Sequence, residues 1–221
     1  MDTTHPPLRR LTAIALALFA LLSFSFILLA PELPDHRAGW LTSFAAAPGR
    51  AAASTHLFLW SQPAFAVASV GLALWLRPYS RRLAMTGGTL GVLSGFMHLV
   101  PGSWGLTQLV MADDPGRYEI YGQLLDAMEQ SPHMIPYFLA GLGMVPAIIL
   151  LGAAHFRSRL PMRWAGPVLW AWVVVEFVGT ALFTWAMPLS AVLLLLGCAG
   201  LVAGLVQAEA PSSQDAELVS A

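Results

Sequence analysis

The chain has 221 residues, of which 57% are hydrophobic and 10% charged, and its formal net charge is -1. A soluble globular domain carries about 25% charged residues, so this composition excludes an ordinary water-solvated domain and makes lipid the solvent for most of the chain. The near-neutral charge also excludes the basic footprint of a nucleic-acid-binding protein.

All 11 basic residues are arginine, a bias that points to GC-rich coding and a bacterial, actinobacterial source. Cys198 is the one cysteine and lies in an apolar run. An intramolecular disulfide and a paired-cysteine metal knuckle are therefore excluded, and the residue reads as a small buried hydrophobe.

A helix needs roughly 20 apolar residues to cross a bilayer core. Arg9 and Arg10 precede the first such run, Leu11 to Ala30. Its length exceeds the 7–15 residues or so of a signal-peptide core, and the Ala45–Ala47 and Ala51–Ala53 triplets lie well beyond its end. It therefore reads as a retained span. Residues 31–55 are rich in proline and alanine and read as a loop. The second span is His56 to Leu76, followed by Arg77, Arg81 and Arg82. The third, Leu83 to Val100, is short and glycine-rich, with Pro101 at its far end.

A larger loop, 101–132, follows. Within it Arg117 to Gln130 reads as an amphipathic interfacial helix, with Tyr118, Tyr121, Leu125 and Met128 on one face. Asp114-Pro115 is a plausible start for it. The fourth span is His133 to Phe156, followed by Arg157, Arg159 and Arg163. The fifth is Trp164 to Ala186, and the sixth is Leu189 to Val206, joined to it by a Met187-Pro188 turn. Residues 209–221 form a short polar tail, expected to be disordered and cytoplasmic. Residues 1–208 are thus one transmembrane domain, an all-α polytopic bundle of six spans.

Eight arginines fall on one side of a six-span layout, and Arg37, Arg50 and Arg117 on the other. The positive-inside rule makes the eight-arginine side cytoplasmic, with both termini inside. Trp40, Trp60, Trp104 and Trp185 fall near the outer boundary and Trp75 and Trp164 near the inner one; His155 reads as an inner-interface residue.

Spans two–three and four–five look alike. Each pair opens on a histidine, His56 or His133, carries proline in its descending helix and turns at an arginine-rich loop. Each returns with one ionisable residue, His98 or Glu176. Both run in the same sense, as a parallel repeat would. Gly87, Gly91 and Gly95 form one small-residue face, and Gly200 and Gly204 another. Such faces allow close helix packing, within the chain or, for Gly200/Gly204, against a second copy or a partner membrane subunit.

Glu176 is the first candidate functional residue. It lies 13 residues beyond Arg163, roughly 20 Å from that edge at 1.5 Å per residue. A carboxylate at such depth costs about 2.5–3.5 kcal/mol on insertion scales, so it must be protonated, paired or wetted. His98, 16 residues beyond Arg82, reaches a similar height, roughly 24 Å, so a His98–Glu176 contact is allowed. Gln62 lies below His56. His98, Glu176 and Gln62 form a candidate ligand or proton site. His56, His98, His133 and Glu176 form a candidate metal or haem site, although no HxxxH, HExxH or CxxCH spacing is present.

Enzymatic templates fail. The sequence contains no P-loop, no Gly-x-Ser-x-Gly elbow and no His-x-x-x-Asp motif inside a span. Asp113-Asp114 before Pro115 reads as a turn and helix cap. No cofactor is required by any motif.

The inner-turn phrase Arg157-Ser-Arg-Leu-Pro-Met-Arg-Trp-Ala, following an apolar helix, resembles one that recurs in uncharacterised actinobacterial multi-pass membrane proteins. The resemblance covers about residues 56–186 and carries no activity. The expectation is a non-enzymatic binding, sensing or accessory bundle in the bacterial plasma membrane. The alternatives are a small proton-linked transporter using Glu176 and His98, and a metal- or haem-binding redox protein.

Overall fold

The computed structural model describes residues 6–34 and 36–207; the expected tail, 209–221, lies outside them. The described residues are all-helical. They form α1 (Pro6–Leu29), α2 (Arg37–Ala46), α3 (Pro48–Leu76), α4 (Arg81–Met111), α5 (Tyr118–Glu129), α6 (Ile135–Gly141), α7 (Met144–Ser158), α8 (Ala165–Val174), α9 (Thr180–Leu182) and α10 (Ala186–Gln207). Among them six spans are long and apolar enough to cross a bilayer: α1, α3, α4, Pro132–Ser158, Ala165–Leu182 and α10. This is the pattern of a multi-pass membrane protein.

The spans close into a ring. Each packs against its neighbour in sequence, and α10 returns to α1. Alternate helices run in opposite directions, so all eight arginines of the rich set lie at one end. The ring axis is filled, not hollow. Leu16, Phe19, Phe65, Leu72, Ile148, Leu151, Leu169, Leu194 and Leu201 surround a void of only about 30 Å³.

Four spans depart from the sequence reading, the second by starting at Pro48 rather than His56. Pro101 does not end the third. α4 runs on for 31 residues, about 46 Å at 1.5 Å per residue, and overshoots a core about 30 Å thick. Its contact with α3 carries it through the proline. A Cβ on Gly88 would lie 2.4 Å from Ala73 Cβ, and one on Gly91 2.3 Å from Ser69 Oγ. One on Gly95 would lie 2.9 Å from the Gln62 carbonyl, and Gly102 and Gly105 abut Leu59, Phe58 and Thr55 in the same way. Only glycine permits this approach. The stripe facing α3 is therefore 88, 91, 95, 102 and 105. Gly87, expected to share it, faces Leu150 and Leu151 of α7 instead.

The fourth span is broken. It begins as a 3-10 turn, Pro132–Met134, continues as α6, stops at Leu142–Gly143 and resumes as α7. The fifth passes from α8 into a π-helical turn, Val175–Gly179, and ends with α9 at Leu182, four residues short of the expected end; the connection is 183–185, and Met187-Pro188, expected to form the turn, lies in the first turn of α10, where a proline is tolerated because its missing N–H is unbonded anyway. Residues 31–55 are not a loop throughout. They contain α2 and the first turns of α3, which starts at Pro48.

The Gly200/Gly204 face is occupied inside the chain. Gly200 lies under Trp164 and Ala165, and Gly204 meets Pro161, Trp75 and His155. His155 is fully buried there, with its ring 5.6 Å from that of Trp75. It packs in the core at the arginine-rich end of the bundle, and Trp75 is buried beside it.

A capped cavity and a π-turn carboxyl

The end of the bundle opposite the arginine-rich loops is closed by a cap of α2 and α5. α5 forms as its pattern predicts, with Leu125 buried and Tyr118, Tyr121 and Met128 partly so. It is tied to the end of α4 by Tyr118 Oη, which donates to the Ala112 carbonyl at 2.7 Å. α2 has little apolar periodicity and holds its shape by docking. A Cβ on Gly122 would lie 3.0 Å from the Ala38 nitrogen, so the two backbones touch.

The three arginines at this end are each engaged by the protein. Arg50 donates to the carbonyls of Leu29 and Ala30, at 3.1 and 3.2 Å. It therefore supplies donors to the unsatisfied C-terminus of α1, where a cation also favours the helix dipole. Arg117 pairs with Asp114 at 3.4 Å. Arg37 hydrogen-bonds Glu129, lies 3.7 Å from Asp126, and stacks on Trp40 with its guanidinium 3.6 Å from the ring centroid. Trp40 is fixed in turn by its indole N–H, which donates to the Pro34 carbonyl at 2.6 Å.

Beneath this cap is a cavity of about 320 Å³, within the usual size range of small-molecule sites. Six aromatic side chains line it: Phe26, Trp40, Phe44, Phe58, Trp104 and Phe138. Ser54, Thr55 and Gln108 supply polar groups, and Arg37 and Glu129 are its charged residues. The long helices α3 and α4 form the back wall, which is why their overshoot beyond the bilayer core matters.

His56 and His133 are exposed. Gln62 is buried; its amide nitrogen donates to Ser61 Oγ at 2.9 Å, and its carbonyl oxygen has no partner. His98 is part-buried behind the cavity, 6.3 Å from the Phe58 ring between centroids, with Nδ1 2.9 Å from the Ser94 carbonyl. Glu176 sits on the π-helical turn. Ser190, fully buried, donates its hydroxyl to the Glu176 carboxylate, and Thr180 Oγ1 donates to the Glu176 carbonyl.

His98 and Glu176 thus have separate partners on separate helices, with the fourth span between them in the ring. Among the described residues no three of His, Cys, Asp and Glu gather as a metal set. None of the sequence candidates lines the cavity itself. The residues that do were missed because they read singly, as span or interfacial aromatics, loop polar groups or loop charges. One signal was available: Arg37, on the arginine-poor side, is followed by Trp40, and an acidic pair, Asp126 and Glu129, lies one turn apart on α5.

Comparison with known protein families, with curated proteins and with solved structures finds no match to this chain.

Proposed function

We propose that this protein is a non-enzymatic binding bundle of the bacterial plasma membrane that holds a small amphipathic molecule under its cap, in a sensing or accessory role. The observation that carries this is the cavity itself, with an apolar aromatic body and a charged rim at one end of a bundle whose axis is filled. In the proposed orientation both termini are cytoplasmic and the cap faces outward. The arginine distribution supports it: three arginines lie at the cap and eight at the opposite end. The reading of spans two–three and four–five as a parallel repeat rests on their shared residue order; the two pairs differ in where their helices break.

The test uses Thr55→Cys, a near-isosteric change at a buried side chain, 7% exposed, that lines the cavity, so that a reagent reaches the thiol only through the cavity. Cys198 is 2% exposed and serves as a silent background. A membrane-impermeant maleimide added outside should alkylate Thr55→Cys, and the neutral apolar probe N-phenyl-1-naphthylamine should slow that reaction. If the thiol is reached only from inside, or if the probe leaves the rate unchanged, the reading fails.

A second reading, a proton-linked carrier, is favoured by Glu176. π-turns recur at functional sites, and this one carries a carboxyl in a membrane span. That reading predicts flux that is lost in Glu176→Gln while the fold survives.

A further inference from the structure

We propose that the cavity takes lipophilic organic cations, molecules that join a positive nitrogen or phosphorus centre to an apolar aromatic body, and that Arg37 marks the place such a cation would take. This rests on the reading of the cavity as a binding site and adds the sign of the ligand's charge.

Two features set that sign. The first is the aromatic lining. Ring faces are negative and edges positive, so a cation is held wherever the lining offers it a ring face, as Trp40 does. Arg37 demonstrates the attraction, lying flat on Trp40 at 3.6 Å. The second is the pair of carboxylates at Arg37. Among the described residues Arg37 is the only cation in the lining and Glu129 the only carboxylate, and Asp126, just outside the lining, lies 3.7 Å from Arg37 as a second carboxylate. A cation that takes the place of Arg37 therefore finds two carboxylates already arranged around it.

An anion would have to draw Arg37 away from both carboxylates and then lie against the ring faces. A cation meets neither obstacle. It can stack on the rings directly, and if it displaces Arg37 it inherits Glu129 as its counter-ion. Arg37 is 19% exposed as a side chain while its partners Asp126 and Glu129 are 53% and 44% exposed. The guanidinium is therefore tucked under the cap, and its partners remain within reach of the mouth.

The test uses two ions of the same shape and opposite sign, tetraphenylphosphonium and tetraphenylborate, on the full chain in lipid nanodiscs. The readout is protection of Thr55→Cys from alkylation, which ignores ions dissolved in lipid. Tetraphenylphosphonium should slow alkylation at least tenfold at saturation. Glu129→Gln should raise the half-protecting concentration about tenfold, and Arg37→Gln should lower it by removing the internal competitor. Asp126→Asn, at a half-exposed position, should weaken protection in the same direction and stands in if Glu129→Gln loosens the cap.

Protection by tetraphenylborate as strong as that by tetraphenylphosphonium overturns the proposal. So does a half-protecting concentration unchanged in both carboxylate variants. If N-phenyl-1-naphthylamine protects while neither ion does, the cavity reading stands and the charge assignment falls. If none of the three protects, the cavity reading falls as well.

Discussion

Ser94 on α4 donates its hydroxyl to the carbonyl of Gly141, 2.7 Å away, at the point where the fourth span breaks. At this break the Val145 amide turns back to the Leu142 carbonyl rather than to Gly141, so Ser94 supplies the donor that the helix withdraws. The same serine's carbonyl accepts from His98 Nδ1 at 2.9 Å. One residue therefore links the broken span to the histidine behind the cavity.

Ser94→Ala should accordingly cost about 1–2 kcal/mol, between the mean for a membrane hydrogen bond and the penalty for a buried carbonyl left without a donor. Denaturant-induced unfolding in mixed micelles measures this. A change below a few tenths of a kcal/mol would mean that the Gly141 carbonyl finds another donor.

Gly91→Val should be worse. Its first added carbon would fall 2.3 Å from Ser69 Oγ, and Ser69 is 1% exposed in the middle of α3. Overpacking of this kind costs about 1–3 kcal/mol. Because α3 and α4 also form the cavity's back wall, the loss should appear twice: as lower thermal stability and as faster alkylation of Thr55→Cys. Gly49→Ala, whose Cβ meets nothing within 4 Å, should leave both readouts unchanged.

These contacts also show why some features were legible in the sequence and others were not. Span existence was legible because it depends on the length of apolar runs, a local property. The end of α4 was not, because a proline and glycines stop an isolated helix, whereas here α3 packs along them. α2 was invisible for the complementary reason. Residues 37–46 lack an apolar stripe, and their helix is sustained by α5, some 80 positions away. The candidate site fared likewise. Depth identified Glu176 and His98 as buried-level polar groups, but not which helices stand between them. The cavity joins Phe26, Arg37, Trp104 and Glu129 from four separate segments, and no spacing rule connects them.

The arginine distribution makes an orientation prediction of its own. Glu119 on α5 and Arg81 at the start of α4 are both exposed and lie at opposite ends of the bundle. Glu119→Cys should react with an impermeant maleimide in intact cells, and Arg81→Cys only after the membrane is opened. The reverse pattern would place the cap inside and overturn the orientation drawn from the eight-to-three split.

Glu176 separates a structural carboxyl from a working one. Ser190 is fully buried, and its hydroxyl donates to Glu176. Gln at position 176 keeps an acceptor there, so Glu176→Gln should unfold within about 1 kcal/mol of the parent chain, whereas Glu176→Leu leaves the serine unpaired and should cost about 1–2 kcal/mol. Stability therefore cannot distinguish the roles by Glu176→Gln, and that is the use of this variant. Proton-coupled flux in proteoliposomes that vanishes in a well-folded Glu176→Gln, and returns in Glu176→Asp, assigns the carboxyl a proton. Unchanged behaviour in every assay, with a stability loss only in Glu176→Leu, leaves it as the hydrogen bond that sets the angle between the last two spans.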